Sequence, residues 1–159
     1  MTELNLSKLG DLGGRMDALS KKLPEEKAAL MEALGKAAKG AVDSSISGAG
    51  FSDGGGKLIG WQKYSVGSRM GYVAVRPVGS KEGFASGAGS PAAITRYNEV
   101  GHSIRKHKNA ASRYRPRIKV AQVAGRHFYR GAEEQAIADA TRILDEYERK
   151  MEQELEGLT

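Results

Sequence analysis

Apolar residues recur at Leu9, Leu12, Met16, Leu19 and Leu23, in steps of three and four that place them on one face of a helix. Pro24 interrupts this run and suits the first turn of a second helix, where its missing N–H is no loss. Glu25 and Glu26 follow, at the end where the helix dipole favours negative charge. Leu30, Met31, Leu34, Ala38, Ala41 and Val42 then continue a helical face until a Ser/Gly run opens at Ser44. The pattern predicts a helical N-terminal part over residues 1–43, made of two helices with a sharp joint at Leu23–Pro24. Gly10, Gly13 and Gly14 weaken the first of them, each by about 1 kcal/mol relative to alanine.

The texture changes after Ser44. Thirteen of the 21 glycines fall between Gly40 and Gly89, leaving Ser44–Gly56 and Gly79–Ser90 with little to form regular structure. Between these stretches, LIGWQKYSV and RMGYVAVRPV are rich in Val, Tyr and Trp and flank Gly67–Ser68, which predicts a β-hairpin over residues 57–78. Pro77 marks a strand end or an edge. After PAAITRYNEVGH comes a basic loop over residues 103–119, and IKVAQV alternates like a short third strand.

The last element has the strongest signal. Ile137, Ala140, Leu144, Tyr147, Met151 and Leu155 are spaced as one helical face, predicting a helix over residues 132–156, roughly 37 Å long at 1.5 Å per residue. With 159 residues and an apolar content of 40%, the chain reads as one domain, residues 1–159, with one modest core. The expected fold class is α+β: a small antiparallel β-sheet flanked by N-terminal helices and a long C-terminal helix.

Composition narrows the chemistry. With no cysteine, disulfides, thiolate nucleophiles and thiolate metal sites are excluded. No stretch reaches the roughly 18 apolar residues of a membrane span, so no membrane partner is expected. The net charge of +6 is unevenly distributed. Residues 100–130 carry nine bases and no acid, whereas residues 131–159 carry nine acids and three bases. Such polarity suits head-to-tail contact between copies, a basic loop facing a polyanion, or that loop lying across its own acidic helix.

Within the basic loop, Arg105, Lys106, Lys108, Arg113, Arg115, Arg117 and Lys119 surround Tyr114. Interleaved bases and an aromatic suit phosphate contacts and base stacking. Arg113, Arg115 and Arg117 share one face of an extended chain, which equally suits carboxylates of an adjacent subunit. Both alternatives stand on the sequence, and the protein surface is preferred.

The remaining motifs carry no chemistry. GAGFSDGGGK ends in Gly-Lys but has Phe51 where a phosphate loop needs glycine, Leu58 where it needs Ser or Thr, and a helix where a strand should precede it. His102, His107 and His127 do not have the spacing of a metal-binding pair or finger. No nucleophile, base and oxyanion donor cluster in sequence, and an active site would have to gather Glu99, His102 and His127 in space. The expectation is a protein without catalysis, cofactor or metal.

Two short segments carry a resemblance. YNEVGH contributes Tyr97, Glu99, Val100 and Gly101, and AGRHFYRGAEEQA contributes Arg126, Phe128 and Arg130 leading into the last helix. The motifs and the element order around them resemble the tail-completion or head–tail joining (neck) proteins of long-tailed bacteriophages, also described as minor tail or virion morphogenesis proteins. The order covers nearly the whole chain, although His127 stands where family members often have proline and the basic loop is longer than usual.

The resemblance implies a structural virion protein, assembled in the host cytoplasm, that forms a homo-oligomeric ring, commonly a hexamer. That ring would complete the tail and join it to the DNA-filled head. Its partners would be other copies, the head connector or stopper proteins, the tail terminator or tail tube, and DNA in the channel. Two alternatives share the sequence features: a tail-terminator ring and an autonomous DNA-binding protein. Phe128 and Tyr129 are expected to anchor the last helix in the core, and Gly101 to make a turn that a side chain would obstruct.

Overall fold

The computed structural model describes residues 6–79, 89–103 and 122–156, with side chains of the first helix described from Gly13 onward. The architecture is mixed α+β, with two small antiparallel two-stranded sheets flanked by N-terminal helices and a long C-terminal helix.

Helix α1 spans Leu6–Gly48 as one continuous element with Pro24 inside it. The expected joint at Leu23–Pro24 is therefore absent, and the helix runs past Ser44 into the Ser/Gly stretch. Proline removes one backbone hydrogen bond, but this part of α1 is exposed, so water can satisfy the freed carbonyl. The C-terminal extension holds because Ala41, Val42 and Ile46 are buried on one face. Packing there outweighs the poor helix propensity of the Ser and Gly residues.

A tight turn follows. Asp53 accepts the Gly55 N–H at 3.0 Å, and Gly55 sits at φ 73° with its α-carbon against Ile46. This close approach is what the Gly54–Gly56 run supplies. The next residues, Gly56–Trp61, form the short helix α2 instead of the first strand, with Leu58 turned into the core. Strands β1 (Gln62–Val66) and β2 (Val73–Pro77) then pair antiparallel from Gln62↔Pro77 to Val66↔Val73. Their connection carries a 3-10 turn at Ser68–Met70, with Arg69 and Met70 both at positive φ. The hairpin lies along α1 and places the Tyr64 ring over Gly35.

Helix α3 covers Pro91–Val100, with Pro91 in its first turn and the Ser90 hydroxyl accepting the Ala93 N–H at 3.2 Å. Strands β3 (Gly101–Ser103) and β4 (Gln122–Ala124) pair antiparallel, and helix α4 runs from Phe128 to Glu156. Of the expected IKVAQV strand, Gln122 and Val123 fall within the described residues and belong to β4. Residues 118–121 lie outside the described residues.

The core gathers Ala41, Val42, Ile46, Leu58, Phe128 and Ala132 where the C-terminal end of α1 meets the start of α4. Helices α1 and α4 pack antiparallel: Gly131 lies against Ser45, and further along Lys150 pairs with Glu26. This packing keeps Ala140, Tyr147 and Met151 of the expected core face of α4 and corrects the rest. Phe128 and Ala132 are buried, and Ala136, Ala140, Ile143, Tyr147 and Met151 are half-buried along the same side. Ile137, Leu144 and Leu155 are exposed. The helix carries two apolar stripes, and the one bearing small residues wins because it lets α1 approach closely.

Candidate interaction surfaces

The two motifs, separated by the basic loop, converge on one junction. At the end of α3, Gly101 takes φ 78°, and a side chain there would run into the Val123 carbonyl and the Gly125 N–H group. Gly125 in turn lies against the Glu99 carbonyl, so the two backbones touch where both residues are glycine. Arg126 N–H donates to the Asn98 carbonyl at 2.8 Å, and His127 N–H donates to the Glu99 carbonyl at 3.1 Å. The Glu99 carboxylate accepts the Tyr129 N–H at 3.1 Å, capping the first turn of α4.

Two side chains clamp this junction to the core. The Arg126 guanidinium donates to the Ala49 carbonyl and lies 4.3 Å above the centre of the Phe51 ring. Phe51 meets Phe128 edge-on at 6.5 Å, and Phe128 is 1% exposed. The Tyr129 hydroxyl donates to the Gln62 side-chain carbonyl at 2.5 Å, while the Gln62 amide donates to the Leu58 carbonyl. Burial, and then the Glu99 carboxylate, push the Tyr129 phenol up to about 12. Of the motif residues, Glu99, Gly101, Arg126 and Phe128 therefore build structure. Tyr97 packs its ring on His102 at 5.0 Å, and Arg130 is exposed beside Glu133, Glu134 and Ile137.

His102 lines a groove of about 420 Å³ with Ala92, Ala93, Arg96, Tyr97 and Val100, a lining that includes neither Glu99 nor His127. Of the trio named for an active site, the Glu99 carboxylate is engaged by the Tyr129 N–H and His102 lines this groove. Among the described residues, no group of three or more His, Asp or Glu side chains is placed to hold a metal ion, and no helix is long and apolar enough to cross a membrane.

The charged residues singled out in the sequence, Arg105, Lys106, Lys108, Arg113, Arg115, Arg117 and Lys119, lie with Tyr114 outside the described residues. The chain leaves for them at Ser103 and returns at Gln122, from the paired ends of β3 and β4.

Two surfaces are not evident from the sequence. Along α1, residues 13–25 are exposed except for the half-buried Leu19, with Met16 at 52% and Leu23 at 42%. Along α4, Ile137 at 60%, Leu144 at 41% and Leu155 at 47% form an apolar stripe. Glu134, Asp145, Glu148 and Glu152, all exposed, border it on the side away from the core. The sequence carries the signal as a second helical phase in α4, but only packing reveals which phase is left outside. No family model, curated protein or solved structure matches the chain.

Proposed function

We propose that the chain is a structural protein of the neck of a long-tailed bacteriophage, forming a ring that completes the tail and joins it to the filled head. The observation that carries this reading is the junction itself. The residues of the resemblance, Glu99 and Gly101 on one segment and Arg126 and Phe128 on the other, meet in space as one hydrogen-bonded unit. The two short segments that carry the resemblance are thus joined to each other in the fold of this chain.

Exposed apolar stripes on α1 and α4 support an assembling subunit, since monomers rarely leave several large apolar side chains aligned in water. The action is binding, without chemistry. The basic segment 103–119, with seven Lys or Arg and no acid, would engage an acidic surface on an adjoining ring. The test is inactivation of the gene in a phage genome that carries it, followed by electron microscopy of the lysate. DNA-filled heads and finished but unjoined tails are expected, and normal virions would overturn the proposal.

A further inference from the structure

Among the described residues, helix α1 is longer than anything packed against it. Gly131 lies against Ser45 and Lys150 pairs with Glu26, so the antiparallel helices advance residue for residue, and Glu156 comes level with Ser20. The part of α1 from Leu6 to Leu19 therefore projects beyond the described end of α4 as an arm of about 20 Å. The hairpin ends short of it too, with the Arg69 carbonyl taking the Lys27 ammonium. Every described side chain of the arm is exposed apart from the half-buried Leu19.

This arm is poorly built to stand alone. Gly10, Gly13 and Gly14 each cost about 1 kcal/mol relative to alanine, and isolated helices of this length are marginal even in good sequences. Yet Leu9, Leu12, Met16, Leu19 and Leu23 repeat in steps of 3, 4, 3 and 4, the spacing of a seam that meets another helix. Arg15 and Lys22 stand seven residues apart along one edge of that seam.

The exposed side of α4 has the matching form. Ile137, Leu144 and Leu155 lie exposed along it at spacings of 7 and 11 residues, with Glu134, Asp145, Glu148 and Glu152 along the outer edge. The stripe is about 27 Å long, enough to take the roughly 21 Å between Leu9 and Leu23. Its acidic edge disfavours pairing with the same stripe of another copy and favours a basic helix.

We infer that the α1 arm of one copy docks on the outer stripe of α4 of the next. The contact uses different surfaces on its two sides, so each subunit offers one arm and one receiving face. Repetition closes a ring when the rotation per subunit permits. This inference rests on the ring-forming reading above and names the surfaces that make the ring.

The experiment uses the full chain and two sets of charge reversals, with sedimentation velocity to read assembly and far-UV circular dichroism to check folding. The arm set is Arg15→Glu and Lys22→Glu, and the helix set is Glu134→Lys, Asp145→Lys and Glu152→Lys. Each set alone is expected to weaken self-association by about 10- to 100-fold. A mixture of the two variants pairs intact arm with intact stripe and reversed arm with reversed stripe, so it should recover assembly with the two variants alternating. Both sets in one chain should restore assembly. Ile137→Ser with Leu144→Ser, at exposed positions, should reproduce the loss without any charge change.

A helix-set variant that assembles like the parent, or a mixture that fails to recover assembly, overturns the inference, as does a parent chain that stays monomeric. Rings built through another face would remove this contact and leave the neck reading standing, because that reading is tested by the fate of heads and tails in the lysate.

Discussion

The carboxylate of Glu99 accepts the backbone N–H of Tyr129 at 3.1 Å, so a residue at the end of α3 caps a helix that begins beyond the basic loop. The bond ties the ends of α3 and α4 together beside the paired β3 and β4, and both segments of the sequence motif depend on it. Replacing Glu99 with alanine leaves the first turn of α4 without its anionic acceptor. Glu99→Ala should lower stability by about 1–2 kcal/mol, and Glu99→Gln, which keeps an oxygen acceptor, by less. Urea unfolding followed by circular dichroism measures both, and equal losses would contradict the cap.

The glycines divide into two kinds. Gly101 sits at φ 78° with the Val123 carbonyl and the Gly125 nitrogen where a side chain would go. Gly101→Ala should therefore cost at least about 1–3 kcal/mol. Gly40, inside α1 with open space where a Cβ would stand, is the reverse case. Gly40→Ala should stabilise by about 1 kcal/mol. Thermal unfolding of the two variants should give shifts of opposite sign.

Tyr129 supplies a pH signature. Its phenol is held neutral up to about 12, first by burial and then by the Glu99 carboxylate. The pKa is raised on folding, so the contribution to stability is fully present below the ordinary tyrosine value of about 10 and is lost as pH rises through 12. Absorbance titration of tyrosinate should show a late-ionising phenol, and Tyr129→Phe should remove that step.

The basic segment is tested apart from the fold. Neutralising Arg113, Arg115 and Arg117 together should leave the unfolding midpoint unchanged while reducing head–tail joining in a complementation assay. A loss of folding with no specific joining defect would mean that these arginines serve the structure of the subunit.

Much of the fold was legible because helical periodicity is local. The long last helix, the hairpin around Gly67–Ser68, the burial of Phe128 and the turn at Gly101 all follow from residue types and their spacing. So does the separation of charge between residues 100–130 and 131–159, which composition alone displays.

Tertiary packing decided the rest. Pro24 marks a break by its own chemistry, yet α1 runs through it, because one lost hydrogen bond in an exposed turn is small beside the burial of Ala41, Val42 and Ile46 further along. Helix α4 carries two apolar stripes that its sequence cannot rank. The close approach of Gly131 and Ala132 to α1 buries one and leaves Ile137, Leu144 and Leu155 in water. A periodic pattern specifies which side chains share a face, whereas only the shape and size of a neighbouring helix specify which face is covered.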